Sequence, residues 1–324
     1  MLKIKIKFNK LYKNILIFSI LLLIFMLIIF PSIAINSFFN GILIWATKVL
    51  PSLLPFFILT KLLSFTTFIN TIGKKMSPIT QRLYGVGGVS GYIYTMSIVS
   101  GYPVGAKLTA DMYSNNIITK GQAFTITSFT STSGPLFVLG SVAIGLYNNA
   151  KLGYILLISH YISAILNGFL YRNKSNKAIS TLDVKTTPNP LYESMTSSII
   201  SITTVGGFIA LFYMILKLLL SFNAFTFITY PLSKIGINSN ITNSVIAGLF
   251  EVTSGCIMLS NCRLDFNYIS PILSFLISFG GLSIHAQALC FLKKFDMPYY
   301  KFLLQKLTHA ILSTIITIII VLII

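Results

Sequence analysis

Three short stretches place chemistry among apolar residues in this chain. Ser100-Gly101-Tyr102-Pro103-Val104-Gly105-Ala106-Lys107 carries two glycines, a proline and a lysine between apolar segments. Glycine and proline interrupt a helix and free backbone hydrogen-bonding groups. In hydrocarbon such groups persist only where protein or trapped water receives them. The stretch therefore reads as half of a solute site, at the tip of a hairpin of half-helices. A half-helix N-terminus there offers N–H groups to an anion, and Lys107 adds a full positive charge. The competing reading is a glycine packing site with Lys107 extended to the interface.

Glu251 is the second signal. It is one of six acidic residues, it lies inside the apolar run 245–259, and Thr253-Ser254-Gly255 follow it. A carboxylate at membrane depth faces a cavity or a partner. It therefore reads as a coupling or gating group, the alternative being an ion pair with Lys217 or Lys107. The third signal is Ser283, His285 and Gln287, which alternate after Gly280-Gly281. Strict alternation is not one helical face, so the spacing predicts a locally unwound segment whose His285 hydrogen-bonds a solute or carries a proton. With the small-residue break Ser133-Gly134-Pro135, the candidate solute-binding set is Ser100, Gly101, Tyr102, Pro103, Gly105, Lys107, Ser133, Gly134, Pro135, Thr253, Ser254, Gly255, Ser283, His285 and Gln287. His160 and His309 read as structural.

Other chemistries lack their patterns. Residues 101–108 fail as a phosphate-binding loop: the glycine spacing is one residue short, Ala106 precedes Lys107, and Leu108 stands where a Ser or Thr would bind magnesium. No nucleophile elbow or zinc motif is visible, and Cys256, Cys262 and Cys290 have no metal-type spacing. No enzymatic activity, cofactor or metal is expected.

The elements that must position these residues are membrane helices. The 324 residues are 55% hydrophobic and 9% charged, far from the quarter charged of a soluble domain. The net charge of +18 does not point to nucleic acid, because the basic residues cluster in short loops between apolar runs, as the positive-inside rule describes. The run 15–30, behind Lys3, Lys5, Lys7, Lys10 and Lys13, reads as an uncleaved first helix. Further apolar runs follow at 38–63, 84–113, 121–147, 152–170, 195–222, 241–259, 268–292 and 303–324.

If every run crossed, the basic segment with Arg172, Lys174, Lys177 and Lys185 would lie opposite the basic N-terminus. Treating 84–113 and 241–259 as re-entrant hairpins restores the charge rule: the N-terminal lysines, Lys74, Lys75 and Arg82, the linker, and Lys293, Lys294, Lys301 and Lys306 then all face the cytoplasm. The fold class expected is thus an all-α polytopic membrane protein with about seven transmembrane helices plus two re-entrant helical hairpins in inverted repeats. The expected units are an N-terminal helix (1–36), a first repeat (37–170), a cytoplasmic linker (171–194) and a second repeat with the final helix (195–324). Weak internal likeness supports two halves: residues 55–63 lie over 211–219, and Val99-Ser100-Gly101 over Thr253-Ser254-Gly255.

Residues 100–107, 251–255 and 278–287 together resemble the YlbJ (SpoVV) family of sporulation integral membrane proteins, over about residues 41–292. The resemblance implies two nucleoside-recognition, or gate, domains related to concentrative nucleoside transporters. It also implies a place in the outer forespore membrane and passage of dipicolinic acid, a small aromatic dianion, toward the forespore. Tyr102, Lys107, His285 and Gln287 would then be donors to the anion, while Glu251 would gate, couple or pair with a lysine. The partners expected are that small-molecule anion and the lipid bilayer, with no nucleic acid, and homo-oligomerisation is left open. A nucleoside-like solute and a non-transporting scaffold for the spore envelope are the alternatives.

Overall fold

The computed structural model describes residues 2–173 and 188–324, and all regular structure in them is helical. The helix α1 (Leu2–Ile29) is followed across Phe30 by α2 (Pro31–Ile44), with a bend of 105° between the two apolar pieces. Wide turns at Trp45–Val49 lead into α3 (Leu50–Leu63), which has Pro51 in its first turn and Pro55 inside. An amphipathic helix, α4 (Phe68–Tyr84), ends on left-handed Gly85. Then come two half-helices, α5 (Val89–Ser100) and α6 (Val104–Ser114).

The next run starts at α7 (Lys120–Thr130), opened by a Thr119–Gln122 capping box. It breaks at residues 131–134 and resumes in wide helical turns (Leu136–Ile144) that run into the short α8 (Gly145–Tyr147). The helix α9 (Ala150–Leu170), capped by the Asn149 side chain, is uninterrupted.

The remaining elements follow a similar order. They are a long helix α10 (Pro190–Ser221), a short α11 (Thr226–Lys234), and the half-helices α12 (Ser239–Phe250) and α13 (Val252–Ser260). The pair α14 (Phe266–Phe279) and α15 (Gly281–Leu292), broken at Gly280, precedes the uninterrupted α16 (Tyr299–Ile323).

Four helices among the described residues are long and apolar enough to cross a membrane: Ala150–Leu170, Pro190–Ser221, Phe266–Phe295 and Tyr299–Ile323, with a fifth if Ile17–Ile29 and Pro31–Val49 form one bent span. The chain is a multi-pass integral membrane protein. Spans expected from apolar runs are more numerous, because several runs are divided: by the 105° bend, by the prolines of α3, and by the break at 131–134. Lys174, Lys177 and Lys185 of the expected linker lie outside the described residues. Exposed Ile158, Ile162, Phe169, Ile200, Ile311 and Ile315 give the long helices apolar outer faces, as lipid requires.

Each pair of half-helices has its own apolar core. One includes Tyr92, Ile93, Ile126, Phe129 and Phe302 around α5 and α6. The other includes Leu152, Leu156, Cys256, Leu259, Leu273 and Leu276 around α13. Their open ends lie at opposite ends of α9. Asn173, just past α9, donates its N–H to Tyr84 O (2.8 Å) beside the start of α5. Asp111 of α6 pairs with Lys294 (3.0 Å), and Lys120 with Asp296 (3.2 Å). At the other end of α9, Lys151 lies over the Phe266 ring (5.9 Å), and Tyr147 donates to Cys256 O (3.5 Å). The helix between has 21 residues, so the two ends are about 30 Å apart at ~1.5 Å per residue.

Candidate functional site

The four interruptions meet in pairs. Gly101, at the end of α5, has φ +73°, and a Cβ there would lie 2.5 Å from Gly134 N. Only glycine allows the tip of the first hairpin to touch the break at 131–134. In the other half, a Cβ on Gly281 (φ +71°) would lie 2.8 Å from Gly248 O and 3.3 Å from Phe250 O, so the α14–α15 break packs on the α12–α13 break. Both pairs line one cavity. Its walls are Gly101 and Tyr102, Ser133, Gly134 and Phe137, Glu251, Val252 and Thr253, and Ser283, Ile284 and Gln287, closed by Val49, Leu53, Val205 and Ile209. The cavity is about 60 Å³, room for a few water molecules.

Glu251 sits in the α12–α13 break in extended conformation and turns its carboxylate onto the N-terminus of α13. It accepts from Thr253 N–H (3.0 Å), Ser254 N–H (2.7 Å) and Ser254 Oγ (2.6 Å). A carboxylate at a helix N-terminus meets free N–H groups and the positive end of the helix dipole. Glu251 is buried, and its carboxylate partners here are the helix and Ser254, while Lys107 and Lys217 bond elsewhere. The donors expected to face a solute at Thr253 and Ser254 are thus engaged by the protein's own carboxylate.

The other expected residues divide between cavity and scaffold. Ser283 and Gln287 line the cavity together because they stand four apart on α15, with Gln287 Nε2 donating to Ser283 Oγ (3.3 Å). The predicted unwinding is confined to Gly280 and Gly281, both of positive φ, and residues 283–287 are regular helix. His285 faces away from Ser283 and Gln287 and is not among the lining residues. Its Nε2–H donates to Phe279 O (2.9 Å) and its Nδ1 accepts from Tyr299 (3.3 Å), which satisfies the last carbonyl of α14.

Lys107 lies on a second, smaller cavity with Pro103, Lys61 and Asp111, donating to Ser197 Oγ (2.9 Å) and Ser201 Oγ (2.8 Å) of α10. Gly105 lets α6 pack on α7, since a Cβ there would lie 1.9 Å from Thr130 O, and Gly255 lets α13 close on Gly248. Pro135 opens the helical turns after the second break. The buried Ser100 hydroxyl has no hydrogen-bond partner among the described residues.

Two residues grouped otherwise by sequence lie at the centre. Lys306, which spacing assigns to a cytoplasmic loop cluster, is 1% exposed in α16. Its Nζ donates to Tyr102 Oη and to Ser131 O (2.8 Å). His160, read as structural, accepts Ser133 N–H at Nε2 (2.9 Å). Its Nδ1–H therefore donates to Ser278 Oγ (2.7 Å). Tyr102 Oη in turn donates to Ser278 O (3.3 Å). Through Lys306, His160 and Tyr102, the first hairpin tip, the second break and the end of α14 form one hydrogen-bonded unit. Both residues carry a sequence signal, an ionisable side chain inside an apolar span. Among the described residues no cluster of three His, Cys, Asp or Glu side chains could hold a metal ion.

No family model matches the chain, and no solved structure matches it. A curated relative does: the sporulation integral membrane protein YlbJ of Bacillus subtilis (strain 168) is 30% identical over 313 aligned residues, which span 88% of this chain and 77% of the relative. With its all-helical membrane architecture and the motifs at 100–107, 251–255 and 278–287 in place, this chain belongs to the YlbJ family of sporulation integral membrane proteins.

Proposed function

We propose that the protein moves a small organic anion, dipicolinate, across the outer forespore membrane during sporulation. The observation that carries this reading is the meeting of four helix interruptions on one cavity, with a carboxylate bound at a helix N-terminus in its wall. Broken helices in a membrane are tolerated where they line a solute path. Glu251 demonstrates the preference of that wall: three donors already hold a carboxylate there. A solute carboxylate would take the same seat when Glu251 swings away, which gives Glu251 the role of a gate. A pyridine dicarboxylate exceeds a cavity of about 60 Å³, so passage requires one hairpin to move.

The same reading orients the chain. The end of the bundle near Tyr84 and Asn173 carries Lys74, Lys75, Arg82, Arg172, Lys293, Lys294 and Lys301, and by the positive-inside rule it faces the cytoplasm. The α5–α6 pair then re-enters from the cytoplasmic side and the α12–α13 pair from the other. The succession of elements in residues 37–170 and 195–324 forms two inverted gate-like repeats with about seven crossings. The first test is binding: dipicolinate, added to the purified protein in detergent, raises its melting temperature, and uridine does not. No shift with dipicolinate, or a shift with uridine alone, would reject the assignment.

A further inference from the structure

Lys306 is buried in the middle of the polar unit, yet among the described residues it pairs with no acid. The ion pairs among the described residues, Lys120–Asp296 and Lys294–Asp111, are at the surface, and the Glu251 carboxylate is held by α13. An ammonium removed from water needs a compensating environment. Here that environment is made of oxygen: Ser131 O and Tyr102 Oη. The buried Ser131 hydroxyl has no hydrogen-bond partner among the described residues. The titratable groups nearby are Tyr102 on the hairpin tip, His160 on α9, His285 on α15, whose ring lies against Phe302, and His309 one turn along α16, whose Nε2–H donates to His160 O (3.0 Å).

A carbonyl freed by a helix break and hydroxyls from two elements make the kind of nest that coordinates a small monovalent cation at the broken helices of transporters. We propose that the Lys306 ammonium is this protein's built-in cation. It fastens the tip of the first hairpin to the break at 131–134 through oxygen ligands that would otherwise take a free Na+ or K+. The hairpin therefore closes without an ion from solution. Tyr102 relays the fastening to the cavity, since its Oη accepts from Lys306 and the residue lines the wall. Lys306 is a positioning residue, outside the cavity itself. Its link to transport rests on the function proposed above, whereas its cation role is testable without any solute.

The experiment measures melting temperature of the purified full-length protein with no dipicolinate present. The wild type should melt alike in Na+, K+ and choline chloride. Lys306→Ala should melt several degrees lower and recover with n-propylammonium, which replaces the missing side chain, and in part with Na+. Lys306→Met, which fills the space without charge, should melt lower and should not respond to either. Wild-type stabilisation by Na+ over choline would overturn the proposal. So would a Lys306→Met protein as stable as wild type, or a Lys306→Ala protein indifferent to both cations. If neither variant can be purified, the wild-type ion series alone decides. Failure of dipicolinate to bind, with these results intact, would reject the transport assignment and leave the cation role standing.

Discussion

Ser133 gives its backbone N–H to Nε2 of His160 at 2.9 Å, and that bond fixes which nitrogen of the ring carries the proton. Nδ1–H is then free to donate to Ser278 Oγ at 2.7 Å. One neutral imidazole thus joins the break after α7 to the end of α14. Removing it leaves two buried groups unpaired, at about 1–3 kcal/mol for each. His160→Ala should therefore lower stability strongly, and His160→Gln, which keeps an acceptor and a donor, should lose less. Thermal unfolding in detergent checks the order; equal loss for both variants would mean that packing of the ring, not its hydrogen bonds, matters.

The glycines differ sharply in what an added methyl would meet. At Gly105 it would lie 1.9 Å from Thr130 O, and at Gly255 2.2 Å from Gly248 Cα, both rigid backbone. Gly105→Ala and Gly255→Ala should each cost about 1–3 kcal/mol or more through overpacking. Gly207 on α10 has nothing within 4 Å, so Gly207→Ala should be neutral or gain up to about 1 kcal/mol from helix propensity. The yield of folded protein across the three variants reads this contrast directly.

Glu251 caps α13, so Glu251→Ala should cost about 0.5–2 kcal/mol as a lost N-cap. Glu251→Gln retains one oxygen acceptor but removes the charge that competes with a solute carboxylate. That variant should bind dipicolinate more tightly than wild type by calorimetry. Weaker binding would show that the carboxylate helps to hold the solute instead of occupying its seat.

The hairpin orientation is open to labelling. In a variant lacking Cys256, Cys262 and Cys290, single cysteines at exposed Asn115 and Arg172 should react with an impermeant thiol reagent from the cytoplasmic side. One at exposed Asn261 should react from the opposite side. Reaction of all three from one side would contradict the inverted arrangement.

The helix breaks were legible because their residues violate local rules: glycine, proline or an acid inside an apolar run has no helical rationale. Gly101, Ser133, Gly134 and Glu251 all fall at interruptions that line the cavity. The division of Ser283, His285 and Gln287 was not legible as alternation, because on an intact helix residues 283 and 287 share a face that 285 leaves. Lys306 was misplaced for a different reason. It follows Lys301 in sequence and reads as one more interfacial cation, and its burial depends on contacts with Tyr102 and Ser131, more than 170 residues away. His160 is similar, since its partners come from the break after α7 (Ser133) and from α14 (Ser278).

The most direct measurement is uptake into liposomes containing the purified protein. Dipicolinate should accumulate above the level of protein-free liposomes, uridine in excess should not suppress it, and uptake should persist when choline replaces Na+. Absence of uptake under every ion gradient, with the protein folded and inserted, would contradict the account, as would suppression by uridine.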